Sequence, residues 1–128
     1  FSDQPEIERL VQIARREHDA IFLLPHWGDE YSQSPRSNQK KWARQMAALG
    51  VTAIFGNHPH VLQPLEKINS TWVAYSLGNF SAWQKGVERK TSAILYLDLR
   101  YAQNGALEVS RVWALPIFRV GLTMYPYY

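Results

Sequence analysis

The sequence contains no cysteine, so disulfides and thiolate metal ligands are excluded from its chemistry. It also lacks an apolar run of about 18 residues, and no membrane-spanning helix is predicted. The 14 basic and 11 acidic residues leave a net charge of only +3, which favours anionic partners mildly and makes nucleic acid a poor candidate. With 128 residues, 46% of them hydrophobic, the chain is long enough for one globular domain and too short for two.

The first half of the sequence has the pattern of alternating helices and short strands. Ser34 is a good N-cap, Pro35 fits the first helical position, and Gly50 is a typical helix stop. The α-β-α-β order favours a parallel sheet with crossover helices. The predicted elements are a helix over Pro5–His18, a buried strand within Ile21–Trp27, a helix over Pro35–Leu49 that buries Trp42, Met46 and Leu49, and a strand over Val51–Phe55.

The second half has the alternation and turn residues of antiparallel β-structure. We therefore predict an α/β (α+β) fold in a single partial domain, with an α/β portion over residues 1–64 and an antiparallel portion over residues 65–128. The aromatic tail Tyr125–Tyr128 is expected to pack against something outside this sequence. The predicted features are strands Leu65–Ile68 and Trp72–Ser76 around the turn Asn69-Ser70, a basic loop over Gln84–Lys90, and strands Thr91–Tyr101 and Ala106–Val120 joined by the hairpin turn Gln103-Asn104-Gly105.

The histidines follow the predicted strands of the first half. After the break at Gly56, extended backbone would place the imidazoles of His58 and His60 on the same side, with Pro59 stiffening the pair. His26 ends the preceding strand, so three imidazoles meet at one sheet edge if the two strands are neighbours. Neutral imidazole suits Zn, Mn, Fe, Co or Ni. One catalytic zinc with an open position would fit, as would two metals if carboxylates bridge them.

Other interpretations of the titratable residues are structural. A His-x-His pair by itself is more often structural or superficial than metal-binding, and it is the presence of His26 that favours a metal. Asp29 and Glu30 could supply a ligand or a general base, but acidic residues in a loop are usually solvated. His18 near the end of a helix is explained by the helix dipole, and we assign it no functional role.

Three motifs occur in order along the chain: Pro25–Tyr31 (PHWGDEY), Gly56–Gln63 (GNHPHVLQ) and Tyr75–Phe80 (YSLGNF). Together they resemble the CapA/PgsA family of poly-γ-glutamate capsule-synthesis proteins, which is similar in fold to the calcineurin-like metallophosphoesterase superfamily. The resemblance covers roughly Pro5–Phe80 well and the remainder loosely. It implies that the chain is the carboxy-terminal part of a metallophosphatase-like β-sandwich flanked by helices.

The resemblance also implies roles for individual residues. His26 matches the isolated metal-ligand histidine of the superfamily, and His58 and His60 match its final His-x-His pair, normally divided between two metal ions. His26, His58 and Asn79 would be catalytic, with Mn, Zn or Fe as the divalent metal. The aspartate-bearing motifs of the superfamily have no counterpart before His26. The site is therefore expected to be incomplete, so that a missing amino-terminal half or a second chain must complete it.

The implied function is capsule biosynthesis or export at the cell envelope, with phosphoester hydrolysis suggested by the fold alone. Unpaired strand edges would favour homo-oligomers. The alternative is a non-catalytic module that binds an anionic polymer or assembles the capsule machinery. In that case the contacts would come from basic residues, although those on the helix are more typical of a solvated face. The candidates are Arg36, Lys40, Lys41, Arg44, Arg89 and Lys90.

Overall fold

Two helices and two β-sheets form the part of the chain that the computed structural model describes, which comprises residues 3–103, 105–121 and 123–126. Parallel pairing is followed by antiparallel strands, and the predicted α/β class is confirmed. The elements are α1 (Gln4–Glu17), β1 (Phe22–Leu23), α2 (Ser37–Ala48), β2 (Ala53–Phe55), β3 (Leu65–Ile68), β4 (Thr71–Ala74), a 3-10 helix (Glu88–Lys90), β5 (Thr91–Tyr101), β6 (Leu107–Val120) and β7 (Thr123–Pro126). Neither helix is long and apolar enough to cross a membrane.

The first sheet has the strand order β1-β2-β4-β3. β1 and β2 are parallel neighbours, as the α-β-α-β pattern predicts, and β3 and β4 form the predicted antiparallel hairpin. Asn69 in the hairpin turn has a φ of 54°, a conformation that Asn tolerates better than most residues. The sequence did not show that β4 also pairs in parallel with β2. This pairing places the hairpin in the same sheet as the strands that precede the histidines.

Two local predictions were wrong. β1 is a two-residue strand at the edge of its sheet, and Phe22 and Leu24 are 42% and 77% exposed, so the run is not the buried strand expected. A short apolar run has no signal that separates an edge strand from a central one. α2 begins at Ser37 with Arg36 as its N-cap, because the Gln39 side chain accepts a hydrogen bond from the Arg36 backbone N–H at 2.8 Å. Ser34 is not the cap, and its backbone carbonyl accepts a hydrogen bond from the Ser32 hydroxyl.

An aromatic group at the ends of the strands organises the core. The Trp27 ring packs edge-on against Trp42, at 5.4 Å between ring centres, and stacks on Tyr75 at 5.7 Å. Its indole N–H also donates to the Tyr75 carbonyl at 2.8 Å. A Cβ atom on Gly56 would lie 2.0 Å from the Tyr75 carbonyl oxygen and 2.3 Å from Trp27 Nε1. Only glycine fits at this close approach of backbone and indole.

The second sheet has the order β5-β6-β7, and its long β5–β6 hairpin confirms the prediction for the second half. Backbone contacts of the Tyr75–Phe80 motif join the two sheets, since Gly78 bridges Ser92 and the Ala93 N–H donates to the Leu77 carbonyl at 3.1 Å. β7 was not anticipated from the sequence. Three residues with sequence-based predictions lie outside the described residues: Asn104, Tyr127 and Tyr128.

The close packing at Gly56 leads to a stability prediction. We expect Gly56→Ala to lower the free energy of unfolding by about 3 kcal/mol or more, because the new methyl group overlaps a backbone carbonyl and disrupts the indole hydrogen bond. Urea denaturation measures the change. Gly105→Ala is the matched control, since its Cβ meets open space and only its φ of +80° opposes the substitution, at about 1–2 kcal/mol. Equal losses in the two variants would contradict the packing described here.

Candidate functional site

A cavity of about 340 Å³ lies where the chain leaves the carboxyl ends of the parallel strands β1, β2 and β4. This is the edge at which open α/β sheets usually place their sites. All four predicted site residues line the cavity. Its lining consists of His26, Asn57, His58, His60, Leu77, Gly78, Asn79, Phe80, Ser81, Ala82 and Ala93.

Backbone pairing beyond the strands holds His26 in place. The Asn57 N–H donates to the Pro25 carbonyl at 2.9 Å, and the Trp27 N–H donates to the Asn57 carbonyl at 3.0 Å. These two bonds continue the parallel pairing of β1 with β2 past the assigned strands. Because Trp27 is buried, the preceding His26 side chain is directed outward, and its ring centre lies 4.6 Å from that of His58.

The predicted geometry of the His-x-His pair was wrong. His58 and His60 have φ values of 100° and 60°, whereas the prediction required extended backbone at both. Such values are rare for residues other than glycine and cost about 1–3 kcal/mol each. The intervening Pro59 is fully buried, and its carbonyl accepts a hydrogen bond from the Tyr31 N–H at 2.7 Å. Tertiary packing therefore sets this turn, and the two imidazole centres are 6.2 Å apart.

Asn79 orients the His60 ring. The buried Asn79 amide donates from Nδ2 to the Arg89 carbonyl at 3.0 Å and to Gln84 Oε1 at 3.3 Å. Its Oδ1 atom therefore faces His60 Nδ1, at 2.7 Å, and can only accept a hydrogen bond. The proton of neutral His60 is assigned to Nδ1 on this basis, which leaves the Nε2 lone pair available. Fixing a ligand histidine through its other nitrogen is typical of metal sites.

Tyr31 and Arg89 form the rim beside His60. The Arg89 guanidinium carbon lies 3.7 Å from the centre of the Tyr31 ring, and that ring is 6.1 Å from the His60 ring. Gln84 connects the rim to Asn79, because its Nε2 atom lies 3.4 Å from the Tyr31 hydroxyl. No role was predicted for Tyr31, although the residue ends the first of the three motifs.

The other candidate residues lie away from the cavity. Asp29 forms an ion pair with Arg36, and Glu30 is exposed. His18 is the C-cap of α1, at the start of the connection that leads to β1. The basic side chains of α2 are exposed, as expected for a solvated face. They are Lys40, Lys41 and Arg44.

The spacing of the three imidazole rings fits a shared metal ion only in part. Two imidazoles on one zinc ion, with Zn–N distances of about 2.0 Å, place their ring centres roughly 5 Å apart. The observed separations of 4.6 and 6.2 Å lie on either side of this value. Among the residues that the structure describes, no group of three or more His, Cys, Asp or Glu side chains is arranged so that it could hold an ion by itself. The metal assignment stays a prediction.

Tyr75, which packs against Trp27 next to the site, is a neutral phenol. Burial, reinforced by its hydrogen bond to Glu66 Oε1 at 2.5 Å, raises the pKa of Tyr75 far above its ordinary value. The ring therefore remains an uncharged stacking partner for Trp27 at any physiological pH.

The Asn79 contact leads to a spectroscopic prediction. We expect nitrogen-15 NMR of the metal-free protein to show neutral His60 protonated at Nδ1 alone, and Asn79→Ala to give a mixture of tautomers because the acceptor is lost. Ser81→Ala is the control, since Ser81 lines the same cavity and the substitution leaves the Asn79 amide in place. An unchanged tautomer in Asn79→Ala would show that Asn79 does not orient the ring.

Comparison with known proteins agrees with the three motifs. Residues 2–84, which include all four predicted site residues, match the family described as Bacterial capsule synthesis protein PGA_cap. The chain is 36% identical over 103 residues to PGA biosynthesis protein CapA of Bacillus subtilis (strain 168), covering 80% of this chain and 27% of that protein. It is 36% identical over 91 residues to capsule biosynthesis protein CapA of Bacillus anthracis, covering 71% and 22%. The chain spans about a quarter of the length of these curated relatives. It belongs to the PGA_cap family of bacterial capsule synthesis proteins.

Proposed function

We propose that this chain carries the histidine-bearing part of a metal-dependent phosphoesterase site in a protein of capsule biosynthesis. The observation that supports this most is the convergence of His26, His58 and His60 on one cavity, with Asn79 orienting His60. Both curated relatives are named for biosynthesis of PGA or of the capsule. A poly-γ-glutamate capsule as the pathway's product and a location at the cell envelope are part of the same proposal.

The imidazoles of His26, His58 and His60 would hold one or two divalent ions, of Mn, Zn or Fe. A bound ion would supply a water of lowered pKa and polarise a phosphoryl oxygen. The described residues contribute no carboxylate to the cavity lining, and Asp29 is already paired with Arg36. Carboxylate ligands would come from a segment outside this chain or from a second copy.

The chain's own residues would bind and position the substrate. Asn79 keeps a proton on His60 Nδ1 and so directs Nε2 into the cavity. Arg89, stacked on Tyr31 at the rim, presents guanidinium N–H donors suited to a phosphate or carboxylate oxygen. His26 or His58, where it is not a ligand, is placed to protonate a leaving-group oxygen.

The second candidate is a non-catalytic module that binds an anionic polymer. The stacked Arg89–Tyr31 pair favours it, because this contact needs no metal to attract an anion. Lys90 follows Arg89 in the 3-10 helix and adds a second positive charge close to it in sequence. In this alternative the histidines have lost their ligand function.

Metal content separates the two candidates. In the full-length protein we expect His26→Ala and His60→Ala to lose bound metal and hydrolysis of a model phosphodiester together, because each removes a ligand. Asn79→Ala should weaken metal affinity by about 10–100-fold, since it removes the partner that orients a ligand. Plasma mass spectrometry of the purified protein measures the metal, and a chromogenic phosphodiester measures hydrolysis.

The control for these variants is His18→Ala, at the C-cap of α1, which should retain both properties. Wild-type protein that holds no stoichiometric metal, hydrolyses no phosphodiester and binds poly-γ-glutamate equally well in every variant would refute the enzymatic proposal and favour the binding module.

A further inference from the structure

A second cavity, of about 250 Å³, lies beneath the loop that precedes the 3-10 helix. It is separate from the histidine cavity, although one loop serves both: residues 80–82 line the histidine cavity and residues 83–86 line the second one. The lining residues of the second cavity are Trp83, Gln84, Lys85, Gly86, Lys90, Arg119 and Gly121.

Arg119 is the most unusual residue in this cavity. It lies on β6 and is only 3% exposed. Its Nε and Nη2 atoms are buried and have no hydrogen-bond partner among the residues that the structure describes. A guanidinium keeps its charge at any physiological pH, and buried N–H donors without an acceptor are unfavourable. These two nitrogens are therefore available to a ligand, to water or to a residue outside the described ranges.

The surroundings of Arg119 are positively charged. Lys85 and Lys90 line the same cavity, and none of the ion pairs between described residues involves these three cations. One acidic group lies beside the cavity wall: the Glu88 Oε2 atom is 3.5 Å from the position a Cβ of Gly86 would occupy. Glu88 forms no ion pair within the described residues, so the local charge favours an anionic ligand.

The shape of the cavity suits a compact group. Gly86 and Gly121 have φ values of +108° and +60° and carry no side chain that could fill the space. Trp83, 61% exposed, forms a wall that can cover the apolar part of a ligand. The planar fork of a guanidinium matches two oxygens of a carboxylate or a phosphate.

We propose that Arg119, with Lys85 and Lys90, forms an oxyanion site that binds a carboxylate or phosphate group. The site requires no metal at the histidines, so it stands apart from the proposed phosphoesterase function. Its two candidate sources of oxyanion are a phosphate ester and a carboxylate-bearing compound, and the probes inorganic phosphate and glutarate distinguish them.

Calorimetric titration of the full-length protein with each probe tests the proposal. We expect wild-type protein to bind at least one probe, and the probe that binds more tightly identifies the source. Arg119→Lys should weaken binding about tenfold because the charge remains and the bidentate fork is lost. Arg119→Met should abolish measurable binding. Arg111→Gln is the matched control on the same strand, since Arg111 is exposed and paired with Asp98, and it should bind as wild type does.

Thermal stability gives an independent measurement. Added probe should raise the Tm of wild-type protein by mass action and leave the Tm of Arg119→Met unchanged. If substitution of Arg119 prevents folding, the double variant Lys85→Gln, Lys90→Gln decides, because both side chains line the cavity and neither is buried. We expect this variant to fold and to bind the probe at least fivefold more weakly.

Three results would overturn the proposal: neither probe binds wild-type protein, folded Arg119→Met binds as tightly as wild type, or the double lysine variant binds with unchanged affinity. Metal content should be the same in wild-type protein and all these variants, so failure of the oxyanion site and failure of the phosphoesterase proposal give different results.

Discussion

The hydrogen bond from the Trp27 indole to the Tyr75 carbonyl crosses directly over Gly56, and the candidate site depends on this contact. The three residues follow β1, β4 and β2 respectively, so one contact fixes the points at which three strands end. Adjacent backbone bonds reinforce it, from the Gly56 N–H to the Ala74 carbonyl at 2.7 Å and from the Leu77 N–H to the Gly56 carbonyl at 3.4 Å. The histidine cavity is therefore built on hydrogen-bonded backbone, although its lining residues belong to loops.

Short sequence distances from this contact place each functional side chain. His26 immediately precedes Trp27, His58 lies two residues beyond Gly56, and Asn79 lies four residues beyond Tyr75. The chain can reach about 3.5 Å over one residue but about 14 Å over four. His26 is therefore held closely by its neighbour, whereas Asn79 is placed by its own hydrogen bonds. The unfavourable φ values at His58 and His60 are maintained by the same framework, in which Pro59 is buried and its carbonyl accepts a hydrogen bond from the Tyr31 N–H.

Sequence patterns predicted most of the elements and the meeting of the histidines. Helical spacing, turn residues and strand alternation are local signals, and parallel order follows from them, so the convergence of His26 with His58 could be inferred. The sequence could not reveal that His60 adopts a left-handed conformation, because tertiary packing overrides the usual preference. The Asn79–His60 hydrogen bond and the burial of Arg119 could not be predicted from the sequence either. Both depend on packing between segments that are distant in the chain. For Arg119, alternation along β6 indicates which face it occupies, but a charged residue is normally assumed to be exposed.

The segment of residues 80–90 borders both cavities and has a thermodynamic consequence. The Arg89 carbonyl accepts from the Asn79 amide that orients His60, while Lys90, the next residue, lines the cavity of Arg119. A ligand in either proposed site would contact this segment, each from a different side. Binding at the two proposed sites would then be linked, and any effect of one ligand on the affinity for the other must be reciprocal and equal in size.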